Sequence, residues 1–210
     1  MLSILVGNIK GGCGKTTIAT HLATACARAG FRTVIGDCDR QKSSLGWLKR
    51  RSVDLPRIEG LDWSKSISDT PTATQRLIID APAAMRHKAV EELIDIADVV
   101  IIPVLPGPFD QDASTYFLRK LSDVKAVRKN QRKIAIVGNR LRSGTKAAEQ
   151  LDQFFANVGY PVVARLRDTQ IYPGVAALGT SLFDETSKRS RDYASEWEPL
   201  LDLLDLSRTS

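Results

Sequence analysis

The sequence predicts an α/β fold: a mostly parallel β-sheet with helices on both faces, in one domain over residues 1–210. Three observations predict it. Strand-like runs alternate with helical patterns along the chain. Those runs are apolar throughout rather than every second residue, as strands covered on both faces are. Asp37, Asp39, Asp80 and Asn139 stand at the expected C-terminal ends of strands, where open α/β sheets hold ligands.

The elements follow in order. Leu2-Ser3-Ile4-Leu5-Val6 is the first strand, and a helix comes after it with Ile18, Ala19, Leu22, Ala23 and Cys26 on one face. Arg32–Gly36 is a short second strand. Ser43–Arg51 reads as a helix, with Leu45 and Leu48 inward. Residues 52–75, rich in Asp, Ser, Thr and Pro, read as loop with one short strand near Arg57–Leu61. Leu77–Ile79 is a buried strand, Lys88–Ala97 a helix, and Val99–Ile102 a strand closing at Pro103. Gln111–Lys125 is amphipathic through Phe117, Leu121 and Val124. Lys133–Val137 is a strand, Thr145–Val158 a helix and Pro161–Ala164 the last strand. Ile171–Leu178 is a short helix that Gly179 ends, and Arg191–Leu204 a final helix with Tyr193, Trp197, Leu200, Leu201 and Leu204 inward.

The densest chemistry lies at Asn8-Ile9-Lys10-Gly11-Gly12-Cys13-Gly14-Lys15-Thr16-Thr17. Between a strand and a helix, this glycine-rich turn reads as a phosphate cradle, a P-loop. Gly11, Gly12 and Gly14 let backbone N–H groups, with those of Cys13, Lys15, Thr16 and Thr17, face an anion at a helix N-terminus. Lys15 reaches the outer phosphates and the Thr16 hydroxyl binds Mg²⁺. Asp80, after an apolar strand, suits a second metal contact, and Asp37-Cys38-Asp39 a further acidic pair near it. Capping of the next helix is the plainer use of that pair.

One detail departs from the ordinary P-loop. Ile9 stands where the first glycine is usual, and Lys10 follows it. This Lys-Gly-Gly-x-Gly-Lys-Thr-Thr form resembles the deviant Walker A box of the ParA/MinD family of ATPases. The resemblance implies ATP and Mg²⁺ as cofactors and an ATP-dependent homodimer, in which Lys10 contacts nucleotide in the partner subunit. Asp80 matches the family's Walker B aspartate. Asp37-Cys38-Asp39-Arg40-Gln41 is similar to its Asp-x-Asp-Pro-Gln switch, where the second acid, here Asp39, orients the attacking water and the first, Asp37, lies close to Mg²⁺. Arg40 departs from the usual Pro. Asn139 falls where family members often read the adenine edge, with Arg140 stacking nearby. The Pro106-Gly107-Pro108 loop and Gly179–Phe183 also match family segments. The chain is most similar to small ParA-like proteins that lack an N-terminal helix-turn-helix domain.

Composition narrows the function classes. Apolar content of 43% and charged content of 26% suit a globular chain. No apolar run approaches a membrane span, and the first strand at Leu2 leaves no room for a signal peptide. Cys13, Cys26 and Cys38 lack metal spacing and read as reduced cytosolic thiols. His21 and His87 are isolated and read as structural; Trp47, Trp63 and Trp197 read as packing or partner contacts. The net charge is +6, and residues 119–191 hold 15 Lys/Arg against 6 Asp/Glu. Such a surplus suits a phosphate-bearing partner.

The reading that follows from the resemblance is a positioning ATPase: it dimerises with ATP, binds DNA without sequence preference, and moves plasmid, chromosome or protein cargo through a ParB-like or cargo adaptor that stimulates hydrolysis. The expected location is cytoplasmic and nucleoid-associated, in a prokaryote. Arg140, Arg142, Lys146, Arg165, Arg167, Lys188, Arg189 and Arg191 are the candidate DNA contacts. A MinD-like membrane-cycling ATPase needs a basic amphipathic C-terminal helix. Glu196–Leu206 instead carries four acids and no Lys or Arg. A metabolic enzyme on the same scaffold, such as a dethiobiotin-synthetase-like ligase, stays open, although Lys10 and the basic surplus disfavour it. An iron–sulfur ATPase would need cysteines beyond Cys38, and a Rossmann dehydrogenase a third glycine where Thr17 stands.

Overall fold

The computed structural model describes residues 1–83, 85, 87–129 and 131–206, with the backbone but not the side chain of His87. The structural role expected of His87 therefore lies outside the described residues. The strands are β1 (Leu2–Val6), β2 (Thr33–Asp37), β3 (Ile58–Asp62), β4 (Arg76–Asp80), β5 (Val99–Val104), β6 (Lys133–Leu141) and β7 (Val162–Arg167). They form a seven-stranded sheet in the order β3-β2-β4-β1-β5-β6-β7, every pairing parallel.

Strand sequences explain why both faces are covered. Ile4 and Val6 enter one core while Leu5 enters the other, and Ile78 and Ile79, or Ile101 and Ile102, divide in the same way. The first core packs on α1 (Lys15–Arg28) and on the C-terminal Trp197, Leu200 and Leu204. All five apolar residues expected inward on α1 are buried. The second core packs on α3 (His87–Ile96), α4 (Pro108–Asp123), the single turn α5 (Lys125–Arg128) and α6 (Lys146–Asn157), through Leu93, Phe117, Leu121, Val127, Leu151 and Phe155. The remaining helices are α2 (Ser43–Arg50), α7 (Ile171–Ala177), α8 (Lys188–Ala194) and α9 (Glu198–Leu203). In α2, Ser44 and Trp47 are the buried residues, whereas Leu45 and Leu48 are half-buried.

Several boundaries differ from the sequence reading. The final helix is α8, a 3-10 turn over Ser195–Trp197, and α9. Pro199 lies at the start of α9, and inside one long helix its ring would meet the carbonyl of Ser195. Helix α4 begins earlier, at Pro108, because a proline without an N–H suits the first helical position. Strand β5 continues through Pro103, since its pairing with β1 has ended at Ile101. Strands β6 and β7 both run longer, because they pair as far as Leu141 and Arg167 across a break in register at 138–141. Arg140 sits in that break at φ +54°, a left-handed conformation.

Candidate functional site

The turn between β1 and α1 is built for close approach. Gly12 and Gly14 have φ of +75° and +96°. A Cβ on Gly14 would lie 2.2 Å from Asn139 Nδ2. Helix α1 has no side-chain cap and no acid in its first turn, which leaves its N-terminal amides available to an anion. Lys15 is buried, and its ammonium donates to the Lys10 carbonyl at 2.8 Å inside the loop. Gly11 and Thr17 flank the same turn, and the Cys13 thiol donates to Lys10 O.

The two strand-end acids separate sharply. Asp37 is fully buried, and both its oxygens are engaged: Oδ1 accepts from Asp39 N, and Oδ2 from Ser44 N, Ser44 Oγ and Leu45 N. The carboxylate that the family pattern puts close to Mg²⁺ is, in this structure, engaged at the N-terminus of α2. Asp80 is 1% exposed, and neither of its oxygens has a full hydrogen-bond partner among the described residues. Burial drives its carboxyl up to about 7; the Asp37 charge adds to the rise, and the Thr16 and Ser44 hydroxyls and Lys15 oppose it. An orphaned carboxylate beside the Thr16 hydroxyl fits a Mg²⁺ ion. Among the described residues no dedicated cluster of three metal-ligating side chains exists. That suits Mg²⁺, which takes one or two protein oxygens and completes its shell with phosphates and water.

Asp39 is half-buried, with Oδ1 accepting from Gln41 N at 2.9 Å. It lines an open cavity with Cys38, Arg40, Trp63, Pro82 and Ala83, beyond the same C-terminal end of the strands at which Asp80 stands. Arg40 is exposed. Burial, together with the nearby Asp80, Asp37 and Asp39 charges, pushes the Cys38 thiol up to about 12. Burial does the same at Cys26 and raises Cys13, so none supplies a thiolate at neutral pH.

Lys10 faces away from the cradle that Lys15 fills. Its ammonium is partly exposed and lies 4.0 Å from Asp110 Oδ1 at the start of α4. Buried Asn8 braces this arrangement: Oδ1 accepts from Lys10 N, and Nδ2 donates to Pro103 O and Ser114 Oγ. Asn8, Ser44 and Asp110 were missed as site residues. Asn8 opens the glycine-rich box, but its partners lie 95 and 106 residues away, and nothing local announces them.

Asn139 links β6 to the phosphate turn. It is 5% exposed, lies within β6, and donates from Nδ2 to Cys13 O at 2.8 Å while Oδ1 accepts from Arg140 N. It braces the phosphate turn in this structure. Asn139 and the exposed Arg140 line one cavity with Thr17, Asp168, Thr169, Gln170, Tyr172 and Pro173, beside the phosphate turn.

The basic candidates divide into two sets. Arg142 pairs with Asp168, Arg165 with Asp152, and Arg167 with Glu196. Arg165 and Arg167 also lie over the rings of Phe155 and Tyr193. Three of the eight expected DNA contacts are therefore occupied by carboxylates. Arg140, Lys146, Lys188, Arg189 and Arg191 are exposed, with no carboxylate ion pair among the described residues.

Comparison with known proteins places this geometry. Residues 4–177 match the model of the CobQ/CobB/MinD/ParA nucleotide binding domain. The chain is 26% identical over 210 residues to the maintenance of carboxysome distribution protein A of Halothiobacillus neapolitanus, covering 95% of this chain and 94% of that one. Its fold is similar to an ATP-bound McdA variant from Cyanothece, with a TM-score of 0.74, 14% identity, and 100% and 98% of the two chains covered. It is equally similar to a putative plasmid partition protein of Borrelia burgdorferi bound to AMPPNP, at 0.74 and 16% identity over 96% and 99%. With the family model spanning most of its length, this chain belongs to the CobQ/CobB/MinD/ParA family of nucleotide-binding domains.

Proposed function

We propose that this chain is an ATP-driven positioning switch, one ATPase domain over residues 1–210. It binds ATP with Mg²⁺, dimerises in that state, holds DNA without sequence preference, and distributes a large cargo through an adaptor that stimulates hydrolysis. The observation that carries the reading is the division of labour between two lysines. Lys15 is buried in the cradle, whereas the Lys10 ammonium is turned outward beside α4. A cation so placed serves a neighbouring molecule better than its own phosphate site. Similarity along nearly the whole length to a carboxysome distribution protein supports a cargo-positioning role. A cytoplasmic, nucleoid-associated location accords with it; among the described residues no helix is long and apolar enough to cross a membrane.

Each residue has a defined task. The amides of residues 11–17 and Lys15 bind the phosphates. Thr16 and Asp80 would hold Mg²⁺, and the ion would supply positive charge to the transferring phosphoryl group. Asp39 orients the attacking water. Asp37 keeps the α2 entry rigid, and Asn139 braces the turn. Lys10 carries charge to the partner's nucleotide, and the same contact is made twice in a two-fold dimer.

The test is sedimentation of Lys10→Ala with ATP and Mg²⁺, in an Asp39→Ala background that suppresses turnover. The expected species is a monomer that still binds nucleotide. A normal ATP-dependent dimer would reduce Lys10 to a loop residue and remove the main support for the switch.

A further inference from the structure

We infer that the DNA-facing surface is not the carboxylate-held set Arg142, Arg165 and Arg167 but a cationic corner built by the Lys and Arg residues between 119 and 133, at the far end of α4. This rests on the DNA-binding reading above and locates it. The 119–133 stretch holds seven Lys/Arg and one acid, whereas 134–191 holds eight against five. Most of the basic surplus therefore comes from these fifteen residues.

The fold gathers them. Helix α4 ends at Asp123, and α5 follows after Val124 alone. The turn closes back through Arg128 N to Val124 O, Lys129 N to Lys125 O and Gln131 N to Ala126 O, and then β6 begins at Lys133. Val124, Ala126 and Val127 point into the core. Arg119, Lys125, Arg128, Lys129 and Lys133 are left exposed, and Lys120 and Arg132 half-buried. Lys120 lies over the Tyr116 ring, and Arg132 donates to the backbone carbonyls of Ile94 and Asp95. Among the described residues no carboxylate forms an ion pair with any of the seven. Asp123 within the stretch, and Asp95 and Asp98 beside it, are the nearest acids in sequence and along the sheet edge.

The contrast with the other basic set decides the assignment. Phosphate binding gains from cations that release counterions on contact, and a guanidinium already held by a carboxylate has less to gain. Arg142, Arg165 and Arg167 are so held. The helix dipole accounts for Lys120 in the last turn of α4 and for Lys125 and Arg128 in the turn α5, but not for Lys129, Arg132 and Lys133 beyond them. The corner also lacks what a membrane-binding surface needs. Among the described residues the exposed large apolar side chains are Met1, Val53, Ile67, Phe109, Tyr116 and Leu178, and only Tyr116, whose ring lies under Lys120, adjoins the corner. Charge without an insertable apolar face suits a phosphate backbone. The corner sits at the N-terminal end of β6, opposite the phosphate turn, so DNA and nucleotide do not compete for one face.

The experiment uses the full chain with ATP and Mg²⁺ and a labelled random-sequence duplex, read by anisotropy at two salt concentrations. The variants are Lys125→Gln/Arg128→Gln/Lys129→Gln, and separately Arg165→Gln/Arg167→Gln. None of these residues touches the nucleotide site, so ATP turnover without DNA serves as the control for folding. The first triple should weaken DNA binding at least tenfold, with the slope of log affinity against log salt falling by about 0.9 per lost phosphate contact. The second pair should change binding less than twofold. If the triple binds as the parent does while Arg165/Arg167 or Arg189/Arg191 substitutions lose binding, the corner is overturned and DNA binding stands. If the parent binds no duplex, the DNA reading itself fails and the corner with it. Parent binding to phosphatidylserine vesicles but not to duplex would overturn the assignment in favour of a membrane.

Discussion

At the scale of single residues, two aspartates at equivalent strand ends have opposite fates. Asp37 and Asp80 are opposite one another in the β2–β4 register, yet one is fully hydrogen-bonded and the other is not. An uncompensated buried carboxylate costs stability in order to hold a cation. The sign follows from its raised position: folded Asp80 titrates near 7 and unfolded Asp near 3.8, so its penalty grows as pH rises through that window and is complete above it. Asp80→Asn should therefore stabilise the metal-free protein at pH 8 by about 2 kcal/mol, with little gain at pH 4. The same variant should lose at least tenfold in ATP turnover. Denaturant midpoints at both pH values and a steady-state ATPase assay check the pair of outcomes; an unchanged turnover would remove Asp80 from the metal site.

At the scale of elements, helix α2 is held from outside itself. Its N-cap Lys42 has φ +52° and makes no side-chain cap, so the donors of Ser44 and Leu45 go to Asp37 on β2. The strand end thus caps the helix. This ties the Asp39 loop between them to the sheet. Asp37→Ala should cost about 2 kcal/mol without any metal present, the size of a strong cap plus a buried charged hydrogen bond. Hydrogen exchange should locate the loss at the Ser44 and Leu45 amides. Were Asp37 chiefly a metal ligand, metal-free stability would stay at the parent's level and only Mg²⁺ affinity would fall.

At the scale of the whole molecule, the phosphate helix is clamped by the C-terminal part of the chain. His21, on α1, is buried against Tyr172, Phe183 and Trp197, stacked on Trp197 at 4.9 Å between centroids. Nδ1 lies 2.8 Å from Thr17 O and must donate, and Nε2 accepts from Leu182 N, so one neutral tautomer satisfies both. Trp47 Nε1 on Thr180 O and the Arg51–Asp184 ion pair add α2 to the same clamp. Burial lowers the His21 pKa to about 4, against a smaller opposing pull from the Thr17 carbonyl and Asp184. Its unfolded value is 6.5, so the stability it supports is whole above 6.5 and is lost as pH falls through 4. Between pH 7 and pH 4 the parent should lose ~3 kcal/mol through this group. His21→Gln should be less stable at pH 7 and lack that share of the acid slope. Parallel slopes in denaturant titrations of the two proteins would discount the clamp.

Much of this was legible before any fold was known, and the reason is locality. The phosphate turn is ten consecutive residues whose glycines, lysine and threonines act through their own backbone and the next helix. Buried strands declare themselves by unbroken apolar runs, and a mostly parallel sheet with two covered faces follows from them. Even the place of Asp80 could be read, because it ends such a run. What the tertiary structure alone decided is which polar groups meet across the sheet order. Asp37 became a cap, Asn139 a brace for Cys13 O, and Arg142, Arg165 and Arg167 partners of Asp168, Asp152 and Glu196. The Lys10–Asp110 approach likewise spans one hundred residues, between the turn after β1 and the helix after β5. Such pairings depend on strand neighbours that are not neighbours in the chain, so the charge each residue leaves to a ligand is settled only when the sheet closes.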